Sequence, residues 1–294
     1  MPELPEVETV RLGLQRLLPK RRIQAVDFDT PKSFPNAPSD VREFLVSATI
    51  MQVRRRAKVL MIDLSSEYSL VIHLKMTGQL VFRGAESFGA GHPNDSLIGE
   101  LPDKSTRITL TFKDGSKLFF NDQRKFGWMR LLPTIEIPNI DFMQRVGPEP
   151  LSADFTAEIF INRIMRRKNT SIKAAILDQT VLAGVGNIYA DESLFAAGIH
   201  PASLVRDIPK SKLKTLHTEI IAVLTLSIEK GGSTDRNYVN VEGKRGSYID
   251  FAKVFRRESL PCPVCKHDII KIKVAGRGTH VCTTCQKLYK GKSA

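Results

Sequence analysis

The chain has 294 residues, 42% of them hydrophobic, which is enough for substantial buried cores and makes two domains the natural expectation. Its 44 Lys and Arg against 31 Asp and Glu leave a net charge of +13. That bias favours a polyanionic partner over a neutral one, because each phosphate neutralised releases counterions. No stretch has the length and apolarity of a membrane span, and the N-terminus lacks the apolar core of a signal peptide. No membrane partner is therefore expected, and the expected location is the cytoplasm.

The chain opens Met1-Pro2-Glu3-Leu4-Pro5-Glu6. Removal of Met1, which the small Pro2 side chain permits, leaves a terminal secondary amine. An α-amino group titrates at about 7.7–8.0, against about 10.4 for lysine, so it is a usable nucleophile at neutral pH. Attack on a sugar C1′ would give an iminium that cannot lose its charge by shedding an N–H, an electron sink suited to elimination. Glu3 brings an acid or base with it. Read alone, the same residues also describe an ordinary helix start, with Pro5 at a first helical position and Glu6 and Glu8 in the first turn.

Val7, Val10, Leu14 and Leu17 recur at helical spacing and predict one amphipathic helix from Pro5 to about Leu18. Strands are predicted at Ile23–Phe28, Lys58–Leu64, Leu70–Leu74, Arg107–Phe112, Lys117–Phe120 and Phe126–Leu132, with a turn at Asp114-Gly115. This describes a mostly antiparallel β domain over 1–132, a sandwich or flattened barrel with a helix attached. A Pro-rich stretch, 133–153, is expected to be a linker. From 154 the period changes, and helices are predicted around Thr156–Met165, Ile172–Asp178, Tyr189–Ala197 and Lys210–Lys230. A glycine-containing loop follows at 231–248. Residues 253–294 carry ten Lys or Arg against two acidic residues, too charged and too short to build a core alone.

All four cysteines lie in that last piece, as Cys262, Cys265, Cys282 and Cys285 in a C-x2-C-x16-C-x2-C spacing. Each pair can wrap an ion as a tight knuckle, and four thiolates form the closed tetrahedral set of structural zinc. Zinc would supply the folding energy the piece lacks. Between the pairs, Gly276-Arg277-Gly278 can be an exposed tip approaching a phosphate or an ordinary solvated turn. Gly184-Val185-Gly186-Asn187 precedes a helix, with Asn187 as a candidate N-cap and free N–H groups for an anion. Arg54-Arg55-Arg56-Ala57-Lys58 opens an apolar strand; lysines in such runs are mostly solvated faces, but one at a strand start, Lys58, is well placed at a cleft edge. Asn121-Asp122-Gln123-Arg124-Lys125-Phe126-Gly127 combines turn chemistry with an arginine and an aromatic, the side chains of a duplex-opening protein. Phe126 alone would more often be core, and Trp128 is read as core.

Taken in order, PELPEVETVR, RRRAKVL, HLKMTGQL, NDQRKFGWMRL, DQTVLAGVGNIYADESLF, GGSTDRNYVN and the cysteine quartet resemble the bacterial formamidopyrimidine-DNA glycosylases over nearly the whole chain. The resemblance implies an α+β multidomain fold: an N-terminal antiparallel β-sandwich, a helix–two-turn–helix domain over 154–252, and a four-cysteine zinc finger. DNA would lie in the cleft between domains, and the loop 231–248 would cap the lesion. The implied activity is excision of oxidised purines such as 8-oxoguanine and formamidopyrimidines from damaged double-stranded DNA. A Pro2 Schiff base and β,δ-elimination would follow.

By the same resemblance Glu3 is the acid–base group, Glu6 organises the site, Lys58 is the proton donor in β-elimination, and Arg277 binds phosphate and takes part in δ-elimination. Asn187, Lys168 and Lys173 match phosphate-binding positions, and Ser105 stands where a histidine usually contacts phosphate. Met76, Arg124 and Phe126 match the trio that fills the hole left by the flipped nucleotide. One zinc ion, no small-molecule cofactor and a monomer are implied.

Departures from the pattern are Lys75 for a usual glycine, Ser105, Asp235 for a usual leucine, and Phe255-Arg256 for a frequent Tyr-Gly. None touches Pro2, Glu3, Lys58 or Arg277. The related endonuclease VIII type usually begins PEGPE, and a non-catalytic damage binder would not need Pro2, Glu3 and Lys58 together.

Overall fold

The computed structural model describes residues 2–92, 94–233 and 248–291. These residues divide into two compact units, 2–144 with 230–233, and 145–229 with 248–291.

The first unit begins with α1 (Leu4–Leu17), started by a reciprocal capping box between Glu3 and Glu6 and by Pro5 in the first turn. Its buried face carries Val7, Val10, Leu14 and Leu17, the stripe predicted from spacing. Nine strands follow: β1 (Ile23–Phe28), β2 (Ile50–Arg56), β3 (Val59–Leu64), β4 (Tyr68–His73), β5 (Gly78–Arg83), β6 (Ser87–Gly91), β7 (Thr106–Phe112), β8 (Lys117–Asp122) and β9 (Trp128–Pro133). A short helix α2 (Pro38–Asp40) runs on into a π turn before β2.

The strands form two antiparallel sheets, ordered β1-β7-β8-β5-β6 and β2-β3-β4-β9. Their inner faces share one core. Leu60, Ile62, Leu70 and Ile72 of one sheet pack with Leu80, Phe82, Leu118 and Phe120 of the other and with α1. The period of two assigns the alternate residues to outer faces. Thus Val59, Met61 and Val71 meet Ile137 outside one sheet, while Val81 and Phe119 meet Leu97 outside the other. With both faces covered, β3 is buried along its whole length.

Six strands lie close to the predicted segments. Three were not foreseen: β2, β5 and β6. In β2 the arginines conceal the pattern, because Arg54 pairs with Asp63 at 2.7 Å and Arg55 with Glu8 at 2.8 Å. β6 is Ser87-Phe88-Gly89-Ala90-Gly91, with little intrinsic strand preference, and owes its place to pairing with β5. The Pro-rich stretch is not a free linker. Residues Thr134–Asn139 form a 3-10 helix, α3 (Asp141–Arg145) follows, and Ile137, Ile140, Phe142 and Met143 cover the outer face of β3 and β4.

The second unit contains α4 (Ala157–Ile164), α5 (Ile172–Leu177), α6 (Asn187–Ala196) and α7 (Lys210–Glu229), close to the predicted helices. Phe160, Ile176, Tyr189, Leu194, Leu216 and Ile220 form its core. Thr156 and Ser171 cap α4 and α5 through their hydroxyls. The C-terminal hairpin pairs β10 (Ile270–Val274) with β11 (Arg277–Val281). No helix among the described residues is long and apolar enough to cross a membrane.

Candidate active site and nucleic-acid interface

At the N-terminus, Pro2, Glu3 and Glu6 are all buried. The Glu3 N–H donates to Glu6 Oε2 at 2.7 Å. Glu6 Oε1 accepts the Ser233 N–H, also at 2.7 Å. Gly232 has φ +87°, and a Cβ there would lie 3.1 Å from Glu6 Oε1, so both the backbone and the close approach favour glycine. One carboxylate thus fastens the segment carrying Pro2 to the start of the predicted capping loop. Residues 234–247 of that loop, Asp235 included, lie outside the described residues.

Lys58 is not at a strand start. It occupies the two-residue turn Ala57-Lys58 between β2 and β3, closed by the Arg56–Val59 pair. Ala57 has φ +52°, and Arg55 Nη1 donates to its carbonyl at 2.8 Å. Since Arg55 also holds Glu8, the turn bearing Lys58 is tied to the helix that Pro2 and Glu3 precede. Nearby, His73 Nδ1 accepts the Lys75 N–H at 3.0 Å. Burial, with the charges of Lys75 and Lys58, holds the His73 pKa down at about 3, so the imidazole is neutral.

Met76, Arg124 and Phe126 are exposed on two neighbouring turns of the same unit. Phe126 is 47% accessible, so it is not core, and the Arg124 guanidinium stands 4.9 Å from its ring centroid. Trp128 is partly buried beside Val59 and Met61, with Arg130 over its ring.

Two expected DNA contacts need correction, and a third residue, Asn187, is placed differently from its expected N-cap position. Ser105 is 3% accessible, and its hydroxyl donates to Asp103 Oδ1 at 2.7 Å; it closes a local turn and offers nothing to a phosphate. Lys173 has no accessible surface. Its ammonium donates to Asp191 Oδ1 at 2.6 Å and Thr279 Oγ1 at 2.7 Å, so it braces the finger hairpin against α5 and α6. Asn187 is the first residue of α6 and Gly186 is the N-cap. The Asn187 amide donates to the Gly278 carbonyl at 3.0 Å. The loop before it, 181–186, is buried rather than open.

Lys168 is exposed after a 3-10 turn. Arg277 is exposed too, immediately after a turn in which Ala275 and Gly276 both have positive φ, 49° and 74°. That is the two-residue hairpin geometry that lets a tight tip project.

The four cysteine Sγ atoms lie within 4.8 Å of one another, with 3.8 Å between those of Cys262 and Cys285. Tetrahedral thiolates at a Zn–S length of about 2.3 Å would be about 3.8 Å apart, so the set fits one zinc ion. All four positions are filled by protein ligands, which makes the ion structural. The bound ion would hold together a hairpin whose own apolar cluster is small, centred on Phe195, Val254 and Ile269.

The formamidopyrimidine-DNA glycosylase N-terminal domain model matches residues 1–129, the H2TH domain model residues 146–238, and the model of a zinc finger found in FPG and IleRS residues 259–288. The formamidopyrimidine-DNA glycosylase of Desulforamulus reducens is 40% identical over 290 residues, covering 98% of this chain and 99% of that protein. The chain belongs to the formamidopyrimidine-DNA glycosylase family. The Streptococcus pyogenes serotype M6 formamidopyrimidine-DNA glycosylase is likewise 40% identical, with 98% and 99% covered. Among solved structures, Lactococcus lactis Fpg in complex with DNA containing an abasic site matches with TM-score 0.85 and 32% identity. That match covers 97% of this chain and 99% of that one. The wild-type Lactococcus lactis Fpg with N7-benzyl-Fapy-dG DNA matches equally, with TM-score 0.85.

For this family member, sequence reasoning missed Asp122, Asp191, His73 and the Arg55–Glu8 tie. Only Asp122 carried a local signal, an Asx-type turn ahead of Arg124 and Gly127. Asp191 and the Arg55–Glu8 tie act through partners far away in the chain.

Proposed function

We propose that this chain is a bifunctional glycosylase and AP lyase, acting on oxidised purines in duplex DNA. The observation that carries this reading is the tie from α1 through Glu8 and Arg55 to the Ala57-Lys58 turn. It fastens a lysine to the helix that Pro2 and Glu3 precede. Once Met1 is removed, the Pro2 amine attacks C1′ of the damaged nucleotide and the base departs. Glu3 handles protons at the sugar, and Glu6 holds the Glu3 backbone. Lys58 is the proton donor associated with β-elimination. Arg277 meets a phosphate and takes part in δ-elimination.

The target must leave the duplex before its glycosidic bond can be reached, at a cost of a few kcal/mol. Met76, Arg124 and Phe126 offset that cost by filling the void. Lys168 adds a phosphate contact, and the surplus of +13 supports a polyanionic partner. The protein is expected to act as a monomer without a small-molecule cofactor, in the cytoplasm or on the nucleoid.

The test is cleavage of a labelled duplex containing 8-oxoguanine opposite cytosine. The reading predicts a one-nucleoside gap with phosphate at both ends. Base release without strand cleavage would limit the chain to a simple glycosylase, and a 3′ unsaturated aldehyde would remove δ-elimination.

A further inference from the structure

The three exposed side chains Met76, Arg124 and Phe126 stand on two separate turns, and one buried carboxylate joins those turns. Asp122, the last residue of β8, has no accessible surface. Its Oδ1 accepts the Thr77 hydroxyl and the Arg124 N–H, the latter at 3.1 Å. Its Oδ2 accepts the Phe126 N–H at 2.8 Å and the Gly127 N–H at 2.7 Å. Three of these donors are backbone groups of the turn that presents Arg124 and Phe126, and the fourth belongs to the residue after Met76. The Asp122 carbonyl is itself held by Arg107 Nε at 2.8 Å, and Arg107 is buried and paired to Asp29.

The turn is closed around the carboxylate. Lys125 sits at φ +55°. At Gly127 a Cβ would lie 2.6 Å from Phe120 Cζ, 3.0 Å from the His73 carbonyl and 3.1 Å from Asp122 Oδ2. Four donors saturate both oxygens, and no neutral side chain of this size has two acceptor oxygens.

We infer that Asp122 is the positioning residue of the duplex-opening wedge, locking two turns into one so that Met76, Arg124 and Phe126 enter DNA as a single preformed unit. This rests on the reading of those three residues under Proposed function. Ordering the turns in advance removes that cost from the step in which the base stack is opened. The chemistry at Pro2 does not pass through the carboxylate, so the two contributions separate experimentally.

The experiment compares wild type, Asp122→Asn and Thr77→Val on two substrates. One is a duplex with 8-oxoguanine opposite cytosine, which must be opened. The other is a single strand with a preformed abasic site, which has no partner strand to open. Asp122→Asn should excise from duplex at least tenfold more slowly, and Thr77→Val severalfold more slowly. Both should cleave the single-stranded abasic site within twofold of wild type. Equal losses on both substrates, or no loss on duplex, would overturn the inference. If Asp122→Asn does not fold, Thr77→Val, which removes one hydroxyl, decides by the same ratio. A wild type that cuts neither substrate would instead overturn the functional reading itself.

Discussion

Arg55 donates from Nε to Glu8 Oε2 at 2.8 Å and from Nη1 to the Ala57 carbonyl at 2.8 Å. One guanidinium therefore links the helix that starts at Leu4 to the turn that carries Lys58. Burial pushes the Glu8 carboxyl up, but Arg11 and Arg55 outweigh it and hold the pKa below the ordinary carboxylate range, so the pair stays charged at neutral pH. Arg55→Ala should leave the fold in place and slow cleavage of abasic DNA by about tenfold to hundredfold, the scale of an ångström misplacement. Arg55→Lys should not rescue, because a point charge cannot span both acceptors as a rigid fork does. Single-turnover cleavage at the wild-type rate would show that the turn holds its position without the helix.

His73 predicts a pH dependence. Its pKa is lowered from 6.5 to about 3 by burial, then by Lys75 and Lys58. Between those values the unfolded chain binds a proton that the native chain does not, so stability falls as pH drops through this window. His73→Asn keeps an acceptor near the Lys75 N–H and removes the titration. Denaturant unfolding at pH 7 and pH 4 should show a smaller acid-side loss for the variant. Equal losses would mean that His73 protonates freely in the native state.

Lys75 and Arg256, two of the departures that the resemblance marked, both have positive φ, 51° and 57°. A left-handed conformation costs a non-glycine residue about 1–2 kcal/mol, while glycine loses about 0.5–1 kcal/mol through its freer unfolded chain. Lys75→Gly and Arg256→Gly should each stabilise by about 0.5–1 kcal/mol. Thermal unfolding checks both. A fall in midpoint would mean that the side chains make contacts worth more than the strain.

Lys173 and Arg277 should separate cleanly. Lys173→Met takes the ammonium from the buried Asp191 carboxylate, which keeps the His280 N–H at 2.9 Å, and should cost about 3–5 kcal/mol. Arg277→Ala should leave stability within about 0.5 kcal/mol, since its side chain is on the surface. It should weaken DNA binding and reduce the slope of log affinity against log salt by about one. A stable Lys173→Met protein with a reduced salt slope would restore Lys173 to the interface.

Much of this was legible because the period of the hydrophobic residues is local. Val7, Val10, Leu14 and Leu17 marked the face of α1, and β3 shows as a short, nearly continuous apolar run. The cysteine quartet could be read for the same reason: it is a short spacing with one chemistry. Most of what escaped was set by partners distant in sequence. β2 looks like a solvated basic run until Asp63 and Glu8 are placed beside it. Lys173 reads as a surface cation, yet Asp191 and Thr279 bury it. Ser105 is drawn inward by Asp103, two residues away, in a turn whose direction the pattern of hydrophobic residues does not fix.

The central claim is covalent attack by the Pro2 amine. Borohydride trapping on a duplex carrying 8-oxoguanine opposite cytosine tests it directly, with wild type and Pro2→Gly side by side after intact mass has shown Met1 removed. The account predicts a stable protein–DNA adduct for wild type, mapped by peptide mass to Pro2, and at most a trace for Pro2→Gly despite retained DNA binding. An adduct mapped to Lys58, or excision with no adduct at all, would contradict it.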